Sequence, residues 1–140
     1  MGELHRRIAA SFDAQGLMTT LGARLLLVAP GEVHIELPFS SALSQQRGYV
    51  HAGAITSIVD SACGYAALTR AAAQDDVVTA EFKINFMRPA LGERFLAVGK
   101  VQNAGRSITV CTGEVTAFQS GSDVGKTIAL MQATIVSIRQ

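Results

Sequence analysis

The sequence predicts an α+β domain in which an antiparallel sheet curls around one long apolar helix. The stretch from Gly48 to Thr69 is the only long segment whose pattern suits a helix. Six shorter runs read as strands, two before that stretch and four after it. Strands that follow one another through short turns pair antiparallel, and their inner face is the surface available to cover an apolar helix. At 140 residues the chain has the size of one domain, with its core expected over about 18–139.

The elements follow in order. Leu4, Ile8 and Phe12 recur every four residues, which predicts a short amphipathic helix lying across an edge of the domain and ended by Gly16. Pro30-Gly31 is a turn signal between the apolar runs Leu21–Ala29 and Glu32–Leu37, a hairpin. In its second arm Val33, Ile35 and Leu37 alternate with Glu32, His34 and Glu36, so His34 is expected on the wet face. A polar loop from Pro38 to Arg47 leads into the long helix, which is expected to run to about Ala73. Beyond it Val78, Ala80, Phe82, Ile84 and Phe86 alternate with Thr79, Glu81, Lys83, Asn85 and Met87 in the clearest strand signal, closed by Pro89. The remaining strands are Arg94–Gln102, Ser107–Phe118 and Lys126–Ile138, the first two joined by the turn Asn103-Ala104-Gly105-Arg106.

Composition narrows the function. Lys+Arg 12 against Asp+Glu 11 leaves a net charge of +1, with no basic run to follow a phosphate backbone, so no nucleic-acid partner is expected. The N-terminal residues lack the apolar core of a secretory signal, and the expected location is the cytoplasm. Asp60 near the middle of the apolar helix argues against a membrane span. Cys63 and Cys111 have neither metal-type nor redox-type spacing and read as buried reduced thiols; three scattered histidines predict no metal site.

Asp60 is the one acid between Ala52 and Thr69, and no base shares that stretch to neutralise it. The helical face expected to carry it is small: Gly53, Thr56, Ser57, Cys63, Gly64 and Ala67, which would let a ligand or another backbone approach. The carboxylate reads either as a reactive group or as a buried acid bonded to local N–H groups.

The run Gly48-x-x-His51-Ala52-Gly53, then Asp60, then a strand ending Phe86-x-x-Pro89, resembles the hotdog-fold acyl-CoA thioesterases. The likeness is to the phenylacetic-acid-pathway branch, whose hallmark reads Gly-x-x-His-Gly-Gly with an Asp seven residues later. The resemblance implies Asp60 as general base or nucleophile, and the Ala52 N–H as donor to the thioester carbonyl. His51 would orient that corner, Gln45 would stand where some relatives have a water-placing Asn, and Thr79 where some have a Ser near the carboxylate. Ala52 and Gln45 are departures from the pattern. Outside the resemblance, His51 also reads as a residue fixing the bend into the helix, and Thr79 as an ordinary strand residue. Arg88 and Arg106 read as phosphate contacts for coenzyme A or as solvated cations.

Elementary chemistry agrees with the resemblance and adds a constraint. The first turn of a helix offers unpaired N–H groups and a positive dipole end, expected here at Ala52 to Ala54. Asp60 lies eight residues further on, roughly 12 Å along one helix, too far for one carbonyl to meet both. A site using both groups therefore needs two subunits with antiparallel helices, a homodimer with shared sites that is expected to pair again as a dimer of dimers. The expected substrate is a small, medium-chain or aryl acyl-CoA, with no cofactor because coenzyme A is part of the substrate. The competing readings are a hotdog dehydratase or hydratase, and a non-catalytic acyl-CoA sensor.

Overall fold

A computed structural model describes residues 2–139. Helices α1 (Glu3–Ala14) and α2 (Gly16–Leu21) precede strands β1 (Arg24–Ala29) and β2 (Glu32–Pro38). A single 3-10 turn, Ser41–Leu43, interrupts the loop before the long helix α3 (Ala52–Leu68). Strands β3 (Asp75–Phe86), β4 (Arg94–Ala104), β5 (Ile108–Phe118) and β6 (Gly125–Arg139) complete one antiparallel sheet of order β1-β2-β4-β5-β6-β3. Helix α3 lies against one face of it and touches β2 to β6. The expected architecture is therefore the observed one.

Several boundaries differ, each for a local reason. Gly16 does not end the first helical segment; the chain turns at Gln15, whose backbone is extended, and Gly16 opens α2. Leu21 accordingly belongs to a helix, closed by Gly22 in the left-handed region at φ 78°, and β1 starts only at Arg24. Helix α3 stops at Leu68 rather than Ala73: the Thr69, Arg70 and Ala71 N–H groups close its last turn onto Tyr65 O, Ala67 O and Leu68 O, and the segment that follows is held by α1. The Arg7 guanidinium of α1 donates to Leu68 O and Ala71 O from Nη1, and to Ala72 O and Asp75 O from Nη2 at 2.8 Å each. One cation thus ties the turn after α3 to α1 and stands at the negative end of the helix dipole.

Helix α3 rests on glycine. Gly99 of β4 and Gly113 of β5 are cross-strand partners on the inner face. A Cβ at Gly99 would stand 2.4 Å from the carbonyl carbon and oxygen of Ala62, and one at Gly113 would stand 2.5 Å from Val59 Cγ2. The helix backbone therefore touches the sheet directly, with Ile55, Ile58, Val59 and Ala62 fully buried around the contact. This seating corrects the expected small face. Cys63 and Ala67 point into the core, 0% and 2% exposed, while Gly53, Thr56, Ser57, Asp60, Ser61 and Gly64 stay at least partly open. Both cysteines are free and buried, and burial pushes the Cys63 thiol far up and Cys111 up to about 11.

Strand β3 holds the second correction. A bulge at Thr79/Glu81 shifts the register against β6, so the alternation predicted from Val78 to Phe86 changes phase there. Thr79 pairs with Ile135, and Phe82, Ile84 and Phe86 pair with Ala133, Met131 and Ala129, all four partners being buried. Thr79 thus shares the helix-facing side with Phe82 and Phe86, instead of standing opposite them. His34 lies on the outer side of β2, half-buried, with Nε2 2.6 Å from Glu32 Oε2.

Gly99→Ala is expected to cost about 3 kcal/mol, the upper part of the overpacking range, and to lower Tm by roughly 10 °C. Gly113→Ala should cost less, because the atoms it meets are side-chain atoms rather than helix backbone. Thermal unfolding of the two variants checks that order.

Candidate functional site

The Asp60 side chain projects from the partly open side of α3 toward β3. Its Oδ1 accepts a 2.7 Å hydrogen bond from Thr79 Oγ1, and it makes no ion pair among the described residues. The β3 bulge is what turns Thr79 toward the acid. A hydroxyl donor orients the carboxylate without supplying a countercharge, so the group keeps the capacity to take a proton or to attack.

The acid opens into a cavity of about 430 Å³ between α1, α3 and β3. Its wall includes a polar chain absent from the sequence reading. Ser61 Oγ donates to Gln15 Oε1 at 3.0 Å, and Gln15 Nε2 donates to the Tyr65 hydroxyl at 2.8 Å. Ser11 Oγ lies 3.2 Å from the same hydroxyl. Gln15 can reach both because it sits at the corner between α1 and α2; the extended corner, not any periodicity, puts it there.

The start of α3 is built by a tight loop. Ser44 and Val50 form a bridge, the Gln45 N–H donates to Tyr49 O at 2.8 Å, and Gly48 adopts φ 87°, a backbone region that favours glycine. The Gln45 side-chain oxygen accepts from the Arg47 N–H, so this side chain is held within its own loop. His51 is the N-cap: its backbone is extended, and Nδ1 accepts from the Gly53 N–H at 2.7 Å, which puts the neutral ring's proton on Nε2. A Cβ at Gly53 would stand 3.0 Å from that Nδ1, so glycine there lets the ring fold over the helix start.

Capping narrows the expected row of open donors. The Gly53 N–H goes to the His51 ring and the Ala54 N–H to His51 O at 3.0 Å, whereas the Ala52 N–H has no partner among the described residues. Thr56 Oγ1 and Ser57 Oγ donate back to Ala52 O and Gly53 O at 2.8 and 2.7 Å, leaving only their lone pairs to a ligand. A cavity of about 400 Å³ adjoins this turn and is lined by Gln45, Tyr49, His51, Ala52, Phe86 and Arg88 among others. Arg88 is exposed and donates to Thr127 O at 2.5 Å. Arg106 is exposed in the β4–β5 turn and lines neither cavity.

The nominated residues therefore fall into two groups, one at the middle of α3 and one at its start. Asp60 and Thr79 meet in the first cavity; Gln45, His51, Ala52 and Arg88 meet at the second. Gly53, Thr56 and Ser57 lie along the partly open helix face between them. Among the described residues no group of three or more His, Cys, Asp or Glu is placed to hold a metal ion, and no helix is long and apolar enough to cross a membrane.

Comparison with known proteins gives a consistent result. A thioesterase family protein from Silicibacter pomeroyi is 41% identical, with 98% of this chain and 99% of that one covered and a TM-score of 0.94. A proposed esterase of Saccharolobus solfataricus is 33% identical over 97 residues, 69% of each chain. The Escherichia coli PaaI protein from the phenylacetic acid degradation operon shares the fold at 19% identity, with 96% and 93% covered and a TM-score of 0.83. Residues 47–124 match the thioesterase superfamily, a span holding Asp60, Thr79 and the whole capped turn. With that match and this architecture, the chain is a hotdog-fold member of the thioesterase superfamily.

Proposed function

We propose that this protein hydrolyses small, medium-chain or aryl acyl-CoA thioesters at two equivalent sites, each shared between two protomers. Asp60 of one protomer acts as general base toward water or as nucleophile, and Thr79 orients it. The Ala52 N–H of the partner copy donates to the thioester carbonyl, at the positive end of a helix whose neighbouring donors are already satisfied by His51. Arg88 meets a coenzyme A phosphate. The reaction needs no cofactor beyond the coenzyme A carried by the substrate.

The observation that carries this reading is an acid with no cationic partner, open to a cavity, in a chain whose open helix-start donor lies eight residues, roughly 12 Å, back along the same helix. The edge of the sheet supports the pairing. Strand β3 runs for 12 residues with only β6 beside it. Phe82 and Phe86 on its helix-facing side are 40% and 45% exposed, only partly covered by the chain's own helix. A second copy related by a twofold axis would cover those rings and lay its α3 antiparallel along the small face of Gly53, Thr56 and Ser57. Such dimers pair further into a dimer of dimers through the faces left outside.

Two substitutions test the roles without disturbing the fold. Asp60→Asn is expected to lower kcat by about 10²–10⁴ while a non-hydrolysable thioether analogue still binds; unchanged turnover would refute the role of the acid. Ala52→Pro removes one N–H at the helical position where proline is best tolerated, and His51 already has the extended backbone that a following proline requires. It is expected to lower kcat by about 10²–10³.

Co-expression of the two inactive chains tests the sharing. Random pairing yields one intact site in every mixed dimer, about a quarter of wild-type activity. A site contained in one protomer would regain nothing.

A further inference from the structure

Charge distinguishes the two cavities. The lining of the Asp60 cavity includes the carboxylates Asp60 and Asp76 and no cation. The cavity at the start of α3, and a second cleft that shares Tyr49, Arg88 and Pro89 with it, include Arg88 and Lys126 and no carboxylate. A thioester carrying phosphates on one side and an uncharged acyl group on the other is oriented by that difference, phosphates toward Arg88 and Lys126, acyl group into the Asp60 cavity.

Within the Asp60 cavity one residue lacks any packing reason for its identity. Gly64 lies one turn beyond Asp60 on α3, roughly 6 Å along the axis, and lines the cavity. A Cβ built there meets no atom within 4 Å, and its φ is not positive. Gly99 and Gly113 are needed because a side chain would strike the helix, but at Gly64 nothing in the chain would be struck. A glycine inside a helix is disfavoured relative to alanine, so the fold gains nothing from it. What the missing side chain leaves is room in the cavity.

We propose that Gly64 is the specificity-determining position of the acyl chamber. The acyl group passes Asp60, crosses the bare helix surface at Gly64 and ends against Tyr65 and Leu68. This inference rests on the hydrolase reading above and adds which end of the substrate the acid's cavity takes and what limits its length.

The test compares wild type with Gly64→Ala and Gly64→Val over straight-chain acyl-CoAs from acetyl to octanoyl. The same ladder of non-hydrolysable thioether analogues is measured by calorimetry, alongside Tm and sedimentation. Gly64→Ala is expected to raise Tm and to lower the octanoyl-to-acetyl ratio of kcat/KM by about 10-fold, the low end of what one methylene-sized change does in an apolar pocket, because this wall also carries Ser11, Gln15 and Ser61. Gly64→Val is expected to lower that ratio further, and the Kd ladder is expected to shift the same way.

An active wild type whose two variants lose activity equally at every chain length, or keep the wild-type profile, overturns this inference and leaves the hydrolase reading standing. A drop to monomers in Gly64→Val overturns it too, placing residue 64 under the partner instead. A wild type that turns over no acyl-CoA yet shows the chain-length shift in Kd supports the chamber and refutes the hydrolase reading. Absence of both turnover and binding overturns both.

Discussion

The contact of helix backbone with sheet at Gly99 and Gly113 constrains everything outward of it. With no side chain between α3 and the two middle strands, the helix cannot roll without Ala62 striking β4 or Val59 and Cys63 striking β5. The rotation of α3 is therefore fixed, and at 3.6 residues per turn a fixed rotation assigns every other position. Asp60, flanked by Val59 and Ala62 on the buried side, is left on the side turned toward β3. An acid in the most apolar element of the chain is tolerated because the seating keeps it out of the core.

The opposite wall obeys a similar constraint by a different device. On a regular strand Thr79 would face away from Phe82, and with Phe82 held toward the helix its hydroxyl would point outward. The extra residue at the bulge restores Thr79 to the helix side within one step of chain, and the 2.7 Å bond to Asp60 follows. At the start of α3 the sequence of polar and small residues does comparable work. His51 occupies the Gly53 N–H and the His51 carbonyl receives Ala54, which leaves a single donor at the end of the dipole rather than a diffuse row.

How much of this could be read from the residues depends on whether the signal is local. The alternation of Val33, Ile35 and Leu37, the Pro30-Gly31 turn and the apolar run of α3 are local, and they placed the sheet, the hairpin and the helix. The capped turn and the acid were legible from the pattern Gly48-x-x-His51-Ala52-Gly53 followed by Asp60. The phase change in β3 was not, because no proline or glycine marks the bulge, and a slip in register is a property of two strands at once. The C-terminal end of α3 and the corner at Gln15 were equally hidden. Arg7 lies 61 residues from the first carbonyl it caps, and Gln15 46 residues from Ser61, so neither pairing leaves a periodicity in the chain. Gly99 and Gly113 lie inside strands with no mark in the sequence of what they face, and only the packed helix shows it.

The long outer strand has the same logic. An unpaired edge of 12 residues leaves a row of backbone donors and acceptors, and the Phe82 and Phe86 rings beside it are half in water. The charges of Glu81 and Lys83 stand on the other face, where they discourage stacking without covering the rings. An antiparallel second copy would satisfy the backbone row, shelter the aromatic rings and carry its own helix start toward Asp60. Twofold symmetry makes each of those gains occur twice. A contact that only covered apolar surface would have no reason to leave the Ala52 donor unpartnered and the Asp60 carboxylate without a cation, eight residues apart on one helix. The proposed pairing accounts for both features with the same surface that covers the edge.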